Sequence, residues 1–301
     1  MSKQAFHSGF ISIVGRPNVG KSTFLNAIVG QKVAIMSDKP QTTRNKIQGV
    51  VTTNAAQYVF IDTPGIHKPQ HELGKFMTDT ALKSLGGVDV VLFMLNASEE
   101  IGTGDRFIME HLKNIHKPVI LVVNKIDLLT KEQLYHFIHQ AKSEMDFAEI
   151  IPISAKKHEN LDVLLDVLYN YLEEGPQYYP EGQVTDHPER FIMAEIVREK
   201  VLWHTREEIP HSVAVTIEDI TRDEDGRLEV MVAIIVERPS QKGIIIGKNG
   251  QMLKRIGTDA RKDINRVLGT KVHLQTWVKV VKDWRNKQIH LNDFGYQKED
   301  Y

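Results

Sequence analysis

Residues Gly15–Arg16–Pro17–Asn18–Val19–Gly20–Lys21–Ser22 fit the pattern G-x-x-x-x-G-K-[ST] at every fixed position. The chemistry that this spacing serves is the cradling of a polyphosphate. Two glycines let backbone N–H groups turn inward with no Cβ in the way, which makes a concave nest for an anion. A helix opening at Gly20 aims its unpaired N–H groups and its dipole at the same point. Lys21 would then bridge the β- and γ-phosphates, and the Ser22 hydroxyl would ligate Mg²⁺. Both flanks agree. The apolar run Phe10–Val14 predicts a buried strand, and Thr23–Val29 predicts the helix that follows. The implied site takes a nucleoside triphosphate.

Asp62–Thr63–Pro64–Gly65 matches D-x-x-G at the end of the run Tyr58–Ile61. Its carboxylate would hold Mg²⁺ through water, and the Gly65 N–H would meet the γ-phosphate, so that the next segment senses whether that phosphate is present. Asn124–Lys125–Ile126–Asp127 matches N-K-x-D. A carboxylate at Asp127 can accept from both the N1–H and the 2-amino group of guanine, whereas adenine offers neither donor. Each such bond contributes about 1.5–3 kcal/mol, enough together to decide the base. Asn124 would tie this loop to the phosphate loop, and the Lys125 stem would cover the base. The triplet Ser154–Ala155–Lys156 would offer a backbone N–H to the guanine O6. Between these motifs, the loop Lys39–Arg44 carries Thr42 and Thr43, either able to ligate Mg²⁺ when the γ-phosphate is bound. The balance favours Thr43.

These motifs need a frame that brings them together. Ile47–Thr53 and Tyr58–Asp62 read as a hairpin around Thr53–Asn54–Ala55. Val88–Leu95, Val119–Val123 and Ile150–Ile153 are short β-branched runs, each followed by a helical period: Arg106–Ile115, Glu132–Met145 and Leu161–Leu172. Buried strands alternating with helices predict an α/β domain, a mostly parallel sheet with helices on both faces. Ligands gather at the carboxyl ends of such strands, where all four motifs fall. Gly30–Gln48 is polar and aperiodic, a loop long enough to be functional.

Gly175–Gly182 breaks the pattern, so the chain divides into residues 1–174, a linker at 175–187, and a second domain at 188–301. There the order is a helix at Glu189–His204, strands at Val213–Ile220 and Leu228–Glu237 around the turn-rich Arg222–Gly226, the run Ile244–Ile246, a helix at Gln251–Leu268 and a strand at Val272–Val281. This α-β-β-α-α-β order predicts a small α+β domain. Gly247–Lys248–Asn249–Gly250 lies between its helices, with Lys242, Lys254, Arg255 and Arg261 nearby. Glycines there would let a nucleic-acid backbone approach closely, and the lysine supplies charge.

Composition sets limits. The formal net charge is −1, yet residues 239–290 hold twelve Lys/Arg against three Asp, while the remainder holds 26 basic and 36 acidic residues. A basic segment on an acidic body points to a polyanionic partner. The chain has no cysteine, which excludes disulfides and thiolate metal sites. Its thirteen histidines show no ligand spacing, so no zinc site is expected. Met1–Gly9 lacks the apolar core of a signal peptide, and no apolar run is long enough to span a bilayer. Trp277 and Trp284 read as packing residues rather than base-stacking platforms.

The motifs Gly-Arg-Pro-Asn-Val-Gly-Lys-Ser, Gln-Thr-Thr-Arg, Asp-Thr-Pro-Gly, Asn-Lys-Ile-Asp, Ser-Ala-Lys and Ile-Ile-Gly-Lys-Asn-Gly, in this order, resemble those of the Era family of bacterial GTPases. The resemblance spans essentially the full chain. It implies a P-loop GTPase domain with a C-terminal KH type II domain, GTP/GDP and Mg²⁺ as ligands, and slow GTP hydrolysis. The implied partner is the 3′ region of 16S rRNA during maturation of the small ribosomal subunit, not DNA. It further implies a monomer in the cytoplasm with peripheral association at the inner face of the cell membrane. On this reading residues 15–23, 62–66, 124–127 and 154–156 meet the nucleotide, with Thr23 and Ile66 among them. Lys21, Asn18, Thr43 and Gly65 serve hydrolysis, and Ser22, Thr43 and Asp62 face the metal. Lys242, Gly247–Gly250, Lys254 and Arg255 meet RNA.

Two positions leave choices open. Ile66 stands where a water-orienting glutamine would be expected and cannot polarise water. Asn18 resembles the asparagine of potassium-activated GTPases, where K⁺ takes the place of an arginine finger, or else it only shapes the turn. Two rival readings of the whole chain stand beside the switch: an RNA-binding scaffold in which GTP is structural, and a membrane-surface GTPase led by the basic segment.

Overall fold

The computed structural model describes residues 5–66, 69–222 and 227–297. Most of the turn expected at Arg222–Gly226 and the first residues of Met1–Gly9 lie outside the described residues. The chain begins with β1 (His7–Val14), α1 (Lys21–Val29), β2 (Ile47–Thr52), β3 (Ala56–Asp62), α2 (Glu72–Lys83), β4 (Val90–Asn96) and α3 (Thr103–Leu112). It continues through β5 (Val119–Asn124), α4 (Lys131–Glu144), β6 (Glu149–Pro152), α5 (Leu161–Tyr169) and the two-residue β7 (Glu173–Glu174). The sheet order is β2-β3-β1-β4-β5-β6, with β7 paired to the start of β1. All pairs are parallel except β2 with β3 and β7 with β1.

β4 and β5 are buried at every position, as a strand covered on both faces must be. One face packs on α1 and α5 through Phe24, Leu25, Leu164 and Leu168. The other packs on α3 and α4 through Ile108, Met109, Phe137 and Ala141. Asp105 on the first turn of α3 accepts from the Gly102 N–H. That cap starts the helix three residues before the sequence pattern suggested. α2 has no counterpart in the sequence expectations. Its signal is nonetheless present: Leu73, Phe76, Met77, Thr80 and Ala81 are buried at helical spacing.

The second module contains α6 (Glu189–His204), α7 (Ile209–Ser212), β8 (Ala214–Arg222), β9 (Leu228–Val236), α8 (Pro239–Ile246), α9 (Gln251–Leu268), β10 (Val272–Val280) and α10 (Gln288–Asp293). Its sheet runs β10-β9-β8, with β9 parallel to β10 and antiparallel to β8. α6 and α9 cover one face, with Ile196, Val197, Ile256 and Ile264 against Val230, Val232 and Ile234. The opposite face is closed by α2 of the first module and by α10, in a cluster of Phe76, Met77, Ala214, Ala233, Trp284 and Tyr296. Trp284 is fully buried there.

Residues 175–187, expected as a linker, lie along the first sheet. Gln57 accepts from the N–H groups of Tyr178 and Tyr179 at 2.8 and 2.9 Å, and the Val50 N–H donates to Val184 O at 2.9 Å. Among the described residues no helix is long and apolar enough to cross a membrane.

Candidate nucleotide site and nucleic-acid interface

The phosphate loop joins β1 to α1 and turns at Gly20, whose φ of 105° is left-handed. A Cβ at Gly20 would lie 2.2 Å from Asn124 Nδ2, so glycine is required twice over. Lys21 is buried and donates from Nζ to the carbonyls of Arg16 at 2.9 Å and Gly15 at 3.2 Å. Burial lowers its pKa to about 8, against the opposing pull of Asp62. A cavity of about 330 Å³ opens above the loop. Pro17, Asn18 and residues 20–23 form one wall, and residues 35–38 with 41–43 form the other.

Ser22 and Thr43 of this lining converge on the buried Asp62. Ser22 Oγ donates to Asp62 Oδ2 at 2.6 Å and lies 2.9 Å from Thr43 Oγ1. Thr42 does not share this place, because its hydroxyl donates to Lys39 O at 2.7 Å. Burial raises the Asp62 carboxyl to about pKa 6, with Lys21 and Ser22 pulling the other way. Its Oδ1 is buried without a hydrogen-bond partner among the described residues. A carboxylate oxygen left unsatisfied beside two hydroxyls is a donor set that suits a hard cation such as Mg²⁺.

The base-side motifs lie next to this cavity. Asn124 Nδ2 donates to Val19 O at 2.9 Å, and Lys125, at φ 68°, donates from Nζ to Asn18 O at 2.9 Å. Both bonds lock the N-K-x-D loop to the phosphate loop. Asp127 lies exposed in a 3₁₀ turn, its Oδ1 accepting from Ser154 Oγ at 2.6 Å. The Ala155 N–H, expected to face the guanine O6, donates instead to Asn124 Oδ1 at 3.0 Å. In this structure that N–H secures the asparagine, and a base would have to share it. Ile126 packs against the core, while Lys156 is exposed.

Three further residues of these motifs turn their side chains away from the cavity. The Ile66 side chain is buried in the apolar cluster on the α3 and α4 face, so only its backbone, donating to Gly15 O, borders the site. Thr63 is buried and donates from Oγ1 to Ile13 O, which makes it part of the scaffold beside Pro64. The Arg16 guanidinium points away from the cavity to Asp105 and Glu99. Gly65 packs on the phosphate loop: a Cβ there would lie 2.7 Å from Pro17.

Sequence reading missed how loop 30–46 ends. On its outer side it docks on the second module. Met36 N donates to Glu199 Oε1 at 2.9 Å, and Trp203 Nε1 donates to Met36 O at 2.9 Å. Lys32 and Lys200 both reach Glu199 Oε2, at 2.5 and 2.9 Å. Arg198 Nη2 donates to Thr42 O. Arg44 is buried, with Nη1 on Val213 O at 2.6 Å and Nη2 on Pro210 O at 3.0 Å. A signal existed in the triplet Arg198–Glu199–Lys200, whose three charges lie mid-helix and are all buried. Buried charges need partners, and here they come from both modules: Glu195 and Asp263 pair with Arg198 and Lys200, while Lys32, the Met36 N–H and the Thr42 carbonyl reach across from the first module.

In the second module, Gly247–Gly250 links α8 to α9 with φ of 69° at Gly247, 50° at Asn249 and 74° at Gly250. A Cβ at Gly247 would lie 2.7 Å from Met252 Cβ, whereas one at Gly250 would meet nothing within 4 Å. Lys248, Asn249, Lys254 and Arg255 are exposed around the loop, and Lys242 is half-buried. Ile244, also exposed, adds an apolar spot between the cations. The acids of α9 are occupied: Asp259 with His204, Asp263 with Lys32 and Lys200. The face left toward solvent at this loop is basic with an apolar centre, suited to a phosphate backbone and its bases.

Comparison with known proteins agrees with both halves. A family model described as 50S ribosome-binding GTPase matches residues 10–125, and one described as KH domain matches residues 208–285. A solved structure of an Aquifex aeolicus Era variant bound to GDP and AlF4⁻ is 44% identical, with a TM-score of 0.94 over 97% of this chain and 99% of that one. An Era structure in complex with MgGDPNP and nucleotides 1506–1542 of 16S ribosomal RNA matches with the same identity, coverage and TM-score.

Proposed function

The chain belongs to the Era family of GTPases, and from that premise we propose that it is a GTP-hydrolysing switch that binds the 3′ region of 16S rRNA in small-subunit biogenesis. The observation that carries the switch reading is loop 30–46. Its inner side lines the nucleotide cavity and places Thr43 beside Ser22 and Asp62, while its outer side is bonded to α6 and α9 of the KH module.

In this reading Lys21, leaving the carbonyls of Gly15 and Arg16, binds the β- and γ-phosphates, and the N–H groups of residues 18–23 cradle them. Asp62, Ser22 and Thr43 would hold Mg²⁺, which would supply positive charge to neutralise the phosphate oxygens. Gly65 offers its N–H to the γ-phosphate, and Asp127, held by Ser154, reads guanine. A water attacks the γ-phosphorus in line, the bond to the β–γ bridging oxygen breaks, and GDP and phosphate leave. Ile66 is packed in the core and cannot orient that water, so intrinsic turnover is slow. Lys242, Gly247–Gly250, Lys254 and Arg255 clamp RNA. The proposed domain limits are 1–174 for the GTPase, 175–187 for the strap between, and 188–301 for the KH module.

The proposed location is the cytoplasm, with the basic C-terminal segment open to the inner face of the membrane. The buried Ile66 also favours a second reading, an RNA-binding scaffold in which GTP is structural. Phosphate release from GTP with Mg²⁺, together with crosslinking to total RNA and mapping of the bound nucleotides, tests the proposal. Turnover with crosslinks at the 16S 3′ end supports it. Crosslinks without turnover favour the scaffold, and crosslinks elsewhere remove the proposed partner.

A further inference from the structure

Arg16 occupies a variable position of the phosphate loop, and its side chain does not face the cavity. Its Nε donates to Asp105 Oδ1 at 2.7 Å and its Nη2 to Glu99 Oε2 at 3.0 Å. Glu99 is half exposed, and a pair of that kind stabilises little. Asp105 differs. It is 1% exposed, and its other oxygen accepts from Gly102 N at 2.9 Å, so both oxygens are engaged inside the protein. Room for the arginine stem depends on Gly104, where a Cβ would lie 2.8 Å from Arg16 Cδ.

The main chain of the same stretch faces the chemistry. The carbonyl of Arg16 accepts from Lys21 Nζ at 2.9 Å. The carbonyl of Gly15 accepts from Lys21 and from the Ile66 N–H at 3.3 Å. Pro17 is the surface against which Gly65 closes, since a Cβ on Gly65 would lie 2.7 Å from both Pro17 N and Cγ. Side chain and backbone of Arg16 thus tie the first turn of α3 to the stretch that meets the γ-phosphate sensor.

We infer that Arg16 is a positioning residue for hydrolysis: pairing with the buried Asp105 fixes residues 15–17, against which Gly65 and Lys21 take their places. The inference rests on the reading of this site as a GTPase. Residues 18–23, at the opening of α1, would hold the inner phosphates without this anchor. Its loss therefore acts on the γ-phosphate and the transition state, not on GDP.

The test compares Arg16→Ala, Asp105→Asn and the double variant. Asparagine keeps an oxygen for the Gly102 N–H and removes the charge, so the double variant carries no unpaired buried carboxylate. Arg16→Ala should lower kcat about tenfold while GDP affinity stays within about twofold and affinity for a non-hydrolysable GTP analogue falls. The double variant should regain the melting temperature that Arg16→Ala loses, without regaining kcat. An unchanged kcat, an equal loss of GDP and analogue affinity, or recovery of kcat along with melting temperature would overturn the inference. Wild-type protein that releases no phosphate would overturn the GTPase reading instead.

Discussion

Arg198 of the KH module donates to the carbonyl of Thr42, one residue before the threonine that stands beside Ser22 and Asp62. A side chain of one module thus holds the backbone of the other at the metal end of the nucleotide cavity. Arg198→Met removes this bond and keeps much of the apolar stem. Loss of a buried charge-assisted bond costs about 1.5–3 kcal/mol. The expected outcome is faster release of fluorescent GDP and a smaller difference in RNA affinity between nucleotide states, both read by titration.

Base choice should rest on Asp127. Ser154 holds one of its oxygens, and asparagine can keep that contact while presenting a donor toward the base. Asp127→Asn should lose GTP and gain XTP, because the extra carbonyl of xanthine accepts where guanine carries an amino group. Competition binding with the two nucleotides checks this, and retained wild-type GTP affinity would remove Asp127 from the base site.

Much of the site was legible in sequence, and the reason is local. The phosphate loop, D-x-x-G and N-K-x-D are contiguous runs whose backbone geometry is set by their own glycines and flanking strands. What escaped depends on distant packing. Arg44 reads as an ordinary basic residue until Val213, Pro210 and Tyr296 are seen around it. The charges of Arg198, Glu199 and Lys200 look solvated in one dimension but are buried against loop 30–46. α2 showed a helical period, yet its apolar stripe faces the KH sheet as well as its own domain. The choice between Thr42 and Thr43 also needed coordinates, which place the Thr43 hydroxyl beside Ser22 and the Thr42 hydroxyl on the Lys39 carbonyl.

Hydrolysis should respond to the monovalent cation. With Ile66 in the core, charge growing between the β- and γ-phosphates needs another stabiliser. Asn18 lies at the cavity mouth, at φ 65°, with its Nδ2 on Asp38 O at 3.0 Å. Faster turnover is expected in K⁺ than in Na⁺ at equal ionic strength, with the difference lost in Asn18→Ala. Equal rates in the two salts would leave Asn18 as a turn residue.

The buried pair Lys21 and Asp62 sets a pH window for the nucleotide-free protein. The Asp62 carboxyl is raised to about 6 and the Lys21 ammonium lowered to about 8, in both cases chiefly by desolvation. For each group the charged form costs stability in the fold: raising pH through the Asp62 range removes stability, and raising it from 8 toward 10.5 restores some. Between about pH 6 and 8 both groups are charged and their desolvation is only partly offset, so Mg²⁺ with GDP should raise the melting temperature most in that window. Asp62→Asn should abolish the Mg²⁺-dependent part of that rise. A Mg²⁺-dependent rise that survives in Asp62→Asn would place the metal elsewhere.

The central claim is that the nucleotide at the P-loop and RNA at Gly247–Gly250 bias one another through loop 30–46. A switch requires differential affinity between its two states. The direct measurement is the affinity of the protein for a 3′-terminal 16S rRNA fragment with GDP and with a non-hydrolysable GTP analogue, at several salt concentrations. Gly250→Asp serves as the control: nothing lies within 4 Å of a Cβ there, the left-handed φ of 74° costs some stability that a melting curve reads, and the side chain places bulk and negative charge at the clamp. We expect about tenfold tighter binding with the analogue, corresponding to about 1.4 kcal/mol of coupling, and loss of most specific affinity in Gly250→Asp. Equal RNA affinity in the two nucleotide states would contradict the account.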